Sequence, residues 1–253
     1  MKTDSLPFFL RDMLVAGCLL TRLPLPKLSD AAFATGARAT WAYPLAGLLV
    51  AGCAALCMLM AQEVGLPDPV VAGLVLAVMI LTTGAMHEDG LSDTADGFWG
   101  GFTPERRLEI MKDSQIGTYG TLALVLVCGL RWICYSALVF AGPAVLFAVA
   151  ALSRAAMPAL MHSLPHARSD GLARSVGRPE MASVTVGCAI ALGVAVLCLG
   201  DDAIAPVVMV TAAAMGIAGI ARRKIGGQTG DVLGATQQIC ELTALLTLTA
   251  MLT

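Results

Sequence analysis

Residues 182–220 read ASVTVGCAIALGVAVLCL, then GDDA, then IAPVVMVTAAAMGIAGI. Neither apolar run carries an Asp, Glu, Lys or Arg. Each approaches the roughly 20 residues a helix needs to cross about 30 Å of hydrocarbon. Between them, Gly200-Asp201-Asp202-Ala203 supplies a polar turn. This pair decides the fold class: helices whose solvent is lipid. Working outward, spans are expected at 42–60, 69–86, 121–140, 144–161, 182–199 and 204–220, with a shorter one at 239–252. Phe8 to Leu20, interrupted by Arg11 and Asp12, reads as an interfacial helix ended by Leu23-Pro24-Leu25-Pro26. No small-residue cleavage site follows it, so it does not read as a signal peptide. Pro44, Pro69, Pro143 and Pro206 sit near helix starts, where a missing N–H is harmless. The expectation is an all-α, polytopic integral membrane bundle of six or seven transmembrane helices. No repeat or linker divides it, so 1–253 reads as a single domain.

Composition agrees. Of 253 residues, 57% are hydrophobic and 13% charged, against about 45–50% and 25% in ordinary soluble domains. A soluble core of this size would leave large apolar patches in water. This excludes a soluble enzyme, a disordered chain and a nucleic-acid binder with a basic face. The eight cysteines form no C-x-x-C pair and mostly sit in apolar runs, where a cysteine packs as a small hydrophobe.

The cations test the span map independently, because cytoplasmic loops collect Lys and Arg. Lys2, Arg11, Arg22, Lys27 and Arg38 precede the first span. Arg106, Arg107 and Lys112 lie in 87–120, Arg168, Arg174 and Arg178 in 162–181, and Arg222, Arg223 and Lys224 in 221–238. The turns near 61–68, 141–143 and 200–203 hold none. Fourteen of 16 cations therefore occupy alternate loops, which places the N-terminus and the three longer loops in the cytoplasm. Only Arg131 and Arg154 fall inside spans. A membrane arginine is costly and usually faces a polar interior; Arg154 is placed to reach a phosphate, and Arg131 to pair with an acid.

Acids obey no such orientation rule, yet seven of 18 fall in 26 residues: Glu88, Asp89, Asp93, Asp96, Glu105, Glu109 and Asp113. On a helix Asp89, Asp93 and Asp96 occupy i, i+4 and i+7, an arc of about 60°. Carboxylates on one stripe, without interleaved lysines, repel one another unless a cation sits among them. Hard oxygen donors suit Mg²⁺, Mn²⁺ or Ca²⁺ rather than zinc. Mg²⁺ binds through one or two carboxylates plus substrate phosphates, which points to phosphoryl-transfer chemistry. Gly90 and Gly97 lie beside the stripe, where a bulky ligand has room to approach.

Next, Thr103 caps a short amphipathic helix with Pro104 at its first position and Glu105 in its first turn. Glu105 and Glu109 need no further role; Asp113 is a candidate fourth acid. The run Gly226-Gly227-Gln228-Thr229-Gly230-Asp231-Val232-Leu233-Gly234-Ala235 either cradles a phosphate on backbone N–H groups or is a flexible connector. It lacks the Lys-Ser/Thr of a P-loop. His162 and His166 read as interfacial loop residues. His87, beside the acids, is the candidate for proton transfer.

The pattern His87-x-Asp89-Gly90-Leu91-x-Asp93-Thr94-x-Asp96-Gly97 resembles the signature of the cobalamin (5′-phosphate) synthase family, the adenosylcobinamide-GDP ribazoletransferases. Thr21-Arg22-Leu23-Pro24, Leu108 to Ser114 with Gly117-Thr118, Ser153-Arg154 and Gly226 to Asp231 resemble the same family in order and spacing. The resemblance covers essentially the whole chain; Glu88 falls where the signature is open, so no metal role carries over to it. It implies a multi-pass inner-membrane enzyme of bacteria, dependent on Mg²⁺, with its site on the cytoplasmic face. A hydroxyl of α-ribazole, or of its 5′-phosphate, attacks the cobinamide-linked phosphate of adenosylcobinamide-GDP; GMP leaves, and adenosylcobalamin or its 5′-phosphate forms. Asp89, Asp93 and Asp96 would hold Mg²⁺, with Asp113 or Asp231 completing the site and His87 or an Asp taking the proton. Arg154, Gly227, Gln228, Thr229, Gly230 and Asp231 would bind substrate. Membrane lipid surrounds the chain, and a homo-oligomer is compatible with it.

Two other readings share these features. A CDP-alcohol phosphotransferase acting on lipids would show D-x-x-D-G-x-x-A-R and a further G-x-x-x-D-x-x-x-D, whose Ala-Arg and Gly spacing 89–113 lacks. An ion-coupled transporter would carry acids near mid-bilayer and related halves, whereas here the acids gather toward one face and no repeat is visible.

Overall fold

A computed structural model describes residues 6–252; Lys2, one of the cations counted above, lies outside them. Among the described residues the chain is all helix, with one isolated parallel bridge, His166 to Gln228. Helix α1 (Phe8–Leu20) leads through two short turns, α2 (Asp30–Phe33) and α3 (Gly36–Ala39), into α4 (Tyr43–Glu63). Then come α5 (Asp68–Thr83), α6 (Met86–Gly100), the short α7 (Pro104–Ile110), α8 (Thr118–Leu138), α9 (Ala144–Ser163) and the short α10 (Leu172–Val176). The chain closes with α11 (Met181–Leu199), α12 (Ile204–Ile225) and α13 (Gly230–Leu252).

Four continuous helical stretches are long and apolar enough to cross a bilayer: 36–63, 118–141, 144–163 and 181–225. The last has 45 residues, about twice what one crossing needs. Gly200, at φ +59°, turns it back, so that α11 and α12 both flank α9 around one cavity. Helix α9 is the centre of the bundle: 83% of its apolar window is buried, against 22–50% in the other three stretches. It packs on α4, α11, α12 and α13. Its alanines 148, 150, 151, 155 and 156 let neighbours approach closely, as small residues do between membrane helices. Large apolar side chains point outward from the rim, among them Leu56, Met60, Val125, Ile133, Leu197, Val208 and Met215. Such a girdle is tolerable only in hydrocarbon.

Two boundaries differ from the sequence expectation. The span expected to run to Met86 stops at Thr83, where α5 meets α6 at 87°. Gly84 (φ +65°) and Ala85 (φ +57°) both adopt the left-handed conformation. Ala85 is the sole non-glycine residue among those described to do so, at a cost of about 1–2 kcal/mol. Arg22 closes the bend: its N–H donates to Thr82 O at 2.7 Å, and its side chain lies where a Cβ on Gly84 would be, 2.7 Å from Cγ. The Thr21-Arg22-Leu23-Pro24 stretch thus braces the turn that aims α6 across the bundle. The segment expected as a short span at 239–252 is the outer part of a 23-residue helix starting at Gly230.

Helix α1 forms where expected. Asp12, which breaks its apolar pattern, is fully buried and accepts from Arg38 at 2.8 and 2.9 Å and from Trp41 Nε1 at 3.2 Å. Phe8, Phe9, Leu10 and Met13 face outward. The cation-bearing loops assemble at one end of the bundle. Lys112 pairs with Asp170 at 2.7 Å, Arg107 Nη1 donates to Lys224 O at 2.9 Å, and Gly36 lies against Val176.

The bend gives a paired prediction. Gly84→Ala should lower the thermal midpoint in detergent by the equivalent of about 1–2 kcal/mol, because a Cβ is strained at this φ and displaces Arg22. Ala85→Gly should leave it unchanged or raise it. A loss of equal size in both variants contradicts the account of the turn.

Candidate active site

On α6 the residues from His87 to Phe98 are buried except Asp89, which is exposed, and Asp93, which is half-buried. An otherwise enclosed helix therefore opens two carboxylates, one turn apart, to free space. Opposite them stands Asp231 in the first turn of α13. Asp93 is within electrostatic reach of Asp89, Asp231, Asp96 and Arg168.

Glycine makes this approach possible. A Cβ on Gly90 would lie 2.7 Å from Asp231 O and 3.2 Å from Gly234 Cα, and one on Gly234 would lie 3.2 Å from His87 Cα. Helices α6 and α13 thus cross backbone to backbone. The sequence reading gave Gly90 and Gly97 to ligand approach; the structure gives both to packing. Gly97 lies under Met111 and 2.9 Å from Arg107 O on the same measure, which seats α7.

The remaining acids have other partners. Buried Asp96 accepts from the backbone N–H of Gly117 at 2.7 Å and of Gly120 at 2.9 Å. It satisfies the otherwise orphaned donors at the start of α8, and Gly117 and Gly120 leave the space its carboxylate fills. The structure therefore uses Asp96 as a capping group rather than as a third open ligand of the stripe. Asp113 is exposed, accepts from Gln115 N within its own loop at 3.1 Å and is absent from the cavity wall. Among the described residues no three Asp, Glu, His or Cys side chains converge tightly enough to cage an ion alone. Asp89, Asp93 and Asp231 leave room for oxygen atoms from elsewhere, the arrangement Mg²⁺ uses with phosphates.

The glycine-rich run is a helix start, not a flexible connector. Gly226 (φ +75°) ends α12. Gly227 packs on Pro165 and 3.1 Å from Ala167 N by the Cβ measure. Gln228 N donates to Pro165 O, and Ala167 N to Gln228 O, both at 2.9 Å. Thr229 accepts from Val232 N at 3.3 Å and donates to Asp231 at 3.2 Å. Gln228, Thr229, Gly230 and Asp231 line a cavity of about 210 Å³ with His87, Asp89, His166, Arg168 and Arg174; Gly227 lies behind its wall. Leu20, Met157, Met161 and Leu233 form its apolar side.

Sequence reading undervalued three residues here. Arg168 and Arg174 counted only as loop cations, and His166 as an interfacial residue. Arg168 pairs with Asp231 at 3.1 Å. His166 Nδ1 lies 2.9 Å from Gln228 Nε2. Burial and the nearby charges of Arg174 and Arg178 hold the His166 imidazole below its ordinary pKa range, so it is neutral at pH 7 and Nδ1 can accept. No local pattern marks Arg168 or His166, because their partners lie about 60 residues away.

Beneath the cavity lies a sealed polar network. Arg131 donates to Glu88 at 2.9 Å, Gln238 at 2.7 Å and Glu241 at 2.6 Å. Tyr135 and Gln237 also donate to Glu241, at 2.8 and 2.6 Å. One guanidinium thereby ties α6, α8 and α13. Arg131 pairs with acids as expected, and Glu88 and Glu241 are the partners. Gln237, Gln238 and Glu241 were legible as polar residues in an apolar terminal helix. Arg154 is 1% exposed and donates to Ala150 O of its own helix at 3.2 Å. It is absent from the cavity wall, and Glu241 and Glu88 are the acids within its electrostatic reach.

Two variants separate these roles. Asp96→Asn should cost about 1.5–3 kcal/mol of stability through weakened charge-assisted bonds, while Asp89→Asn costs little or nothing; thermal unfolding in detergent distinguishes them. Arg131→Met should cost about 3–5 kcal/mol, because it strands two buried carboxylates. Adding Glu88→Gln and Glu241→Gln should recover part of that loss.

The Cobalamin-5-phosphate synthase family matches residues 12–249 of this chain. A relative from Bradyrhizobium diazoefficiens, described as adenosylcobinamide-GDP ribazoletransferase, is 44% identical over 249 residues, covering 96% of this chain and 95% of its own length. Relatives with the same description from Brucella canis and Brucella melitensis are 43% and 42% identical over 243 residues, each covering 90% of this chain and 92% of their own. No solved structure matches.

Proposed function

The chain belongs to the Cobalamin-5-phosphate synthase family, and from that premise we propose that it joins adenosylcobinamide-GDP to α-ribazole, or to its 5′-phosphate, releasing GMP. One observation carries the reading to particular residues: Asp89 and Asp93 are the carboxylates that the buried stretch of α6 leaves open, Asp89 lines the 210 Å³ cavity with Asp231 and Arg168, and Asp93 is within electrostatic reach of both. Paired hard-oxygen donors facing a third acid suit Mg²⁺. Asp89 and Asp93 would hold it, with Asp231 beside them. Bound there, Mg²⁺ supplies charge neutralisation for a diphosphate.

The chain's own residues supply the rest. The cavity's apolar side, with Met157, Met161 and Leu233, suits a flat aromatic base; thioethers favour ring contacts. Its polar side, with Gln228, Thr229 and Gly230 at the start of α13, suits ribose hydroxyls and phosphate oxygens. His87 lines the cavity, and its Nε2 has no protein partner; it is the group we assign to take the proton from the attacking hydroxyl. The hydroxyl oxygen bonds to the cobinamide-linked phosphorus, the P–O bond to GMP breaks, and GMP leaves with that electron pair. Arg154 and Arg131 lie below, within electrostatic reach of His87. The cation-rich end, where the cavity opens, is assigned to the cytoplasm, and the outward apolar girdle to membrane lipid.

Purified protein in lipid vesicles, given adenosylcobinamide-GDP, α-ribazole and Mg²⁺, should release GMP. Asp89→Asn should reduce that release at least about a hundredfold, the scale of losing a key electrostatic group, with the thermal midpoint retained. No GMP from well-folded wild-type protein overturns the assignment.

A further inference from the structure

The Arg168 guanidinium is out of place for an ordinary surface cation. Its side chain is only 13% exposed, and its Nε is buried without a partner. It lines the cavity with Asp89 and pairs with Asp231 at 3.1 Å, besides a long 3.4 Å contact to Leu108 O. The loop that carries it is pinned on both sides: Pro165 and Ala167 bond the Gln228 backbone at 2.9 Å, and Asp170 pairs with Lys112 at 2.7 Å. Its backbone is therefore fixed, and the side chain is the part free to move.

Asp89, Asp93 and Asp231 crowd one space, and Arg168 is paired with Asp231 and within electrostatic reach of Asp93. A divalent cation entering this space meets a monovalent one already paired with Asp231. On the reading that these acids receive a divalent cation together with a diphosphate, we infer that Arg168 is a counter-ion held by Asp231 in the ligand-free site, and that it passes to a phosphate oxygen when the diphosphate and its metal bind. Arg168 then opposes the metal alone and favours the metal with its diphosphate. A guanidinium suits both partners, because its planar fork matches carboxylate and phosphate oxygens alike.

A reversal of sign is therefore expected. Mn²⁺ binding to detergent-solubilised protein, read by electron paramagnetic resonance, should be roughly fivefold or more tighter in Arg168→Gln than in wild type, the effect of one unit charge a few ångströms away even at the dielectric of water. Arg168→Met should behave the same way and serves if the Gln variant unfolds; Arg168→Lys, which keeps the charge, should stay near wild type. With inorganic pyrophosphate present the order should invert, the neutral variants holding Mn²⁺-pyrophosphate several-fold more weakly. Unchanged or weaker binding of Mn²⁺ alone by both neutral variants overturns the inference, as does unchanged binding of Mn²⁺-pyrophosphate. Wild-type binding lost in Asp89→Asn yet indifferent to Arg168 sinks this inference and leaves the metal reading standing. Absence of Mn²⁺ binding by folded wild-type protein overturns both.

Discussion

A charge inside an apolar bundle must be paired, because an isolated ion in such a medium costs several kcal/mol even after relaxation. Arg131 answers that constraint by joining three helices, its own included. It meets Glu88 of α6 at 2.9 Å and Glu241 of α13 at 2.6 Å from its own place in α8. The strength of the pairs matters less than their direction. With Glu88 and Glu241 fixed to one guanidinium, α6 and α13 cannot slide past each other without stranding a charge. The open carboxylates one and five residues beyond Glu88 are set against Asp231 by the same restraint.

Glycine contributes the other half of the geometry. At Gly90 and Gly234 the two helices meet without side chains between them, so Asp231 enters the space in front of Asp89 and Asp93. Asp96, on the same stripe, is drawn aside by the unpaired N–H groups of Gly117 and Gly120. Three aspartates on one stripe thus divide into two that face open space and one that caps the next helix. The strained pair Gly84-Ala85 feeds this arrangement from upstream, turning α6 by 87° so that it lies against α8 and α13 instead of continuing α5.

Much of this was legible in the chain. The apolar runs at 182–199 and 204–220 show lipid as solvent, since no soluble core has a use for them. The alternation of cations groups loops that meet at one end: Lys112 and Asp170, Arg107 and Lys224, and Gly36 and Val176 lie against each other there. The i, i+4 spacing of Asp89 and Asp93 placed both on one face, because helical period is a local property. Arg131 was read as a residue needing an acid, because burial makes the requirement general. Arg168 escaped notice, since a loop arginine looks the same whether it faces water or a carboxylate 63 positions along the chain.

By itself, then, the sequence determined the solvent, the helical class, the grouping of the loops, and the helix that carries the acids. Each follows from composition or from a period of a few residues. Only the tertiary structure decided which acids share a space, which one caps a helix, which glycines are packing surfaces and which arginine stands at the acids' side. Those outcomes depend on how α6 and α13, separated by more than a hundred residues, cross and tilt. That crossing is set by backbone contact at Gly90 and Gly234 and by ion pairs to Arg131, neither of which any short window of sequence contains.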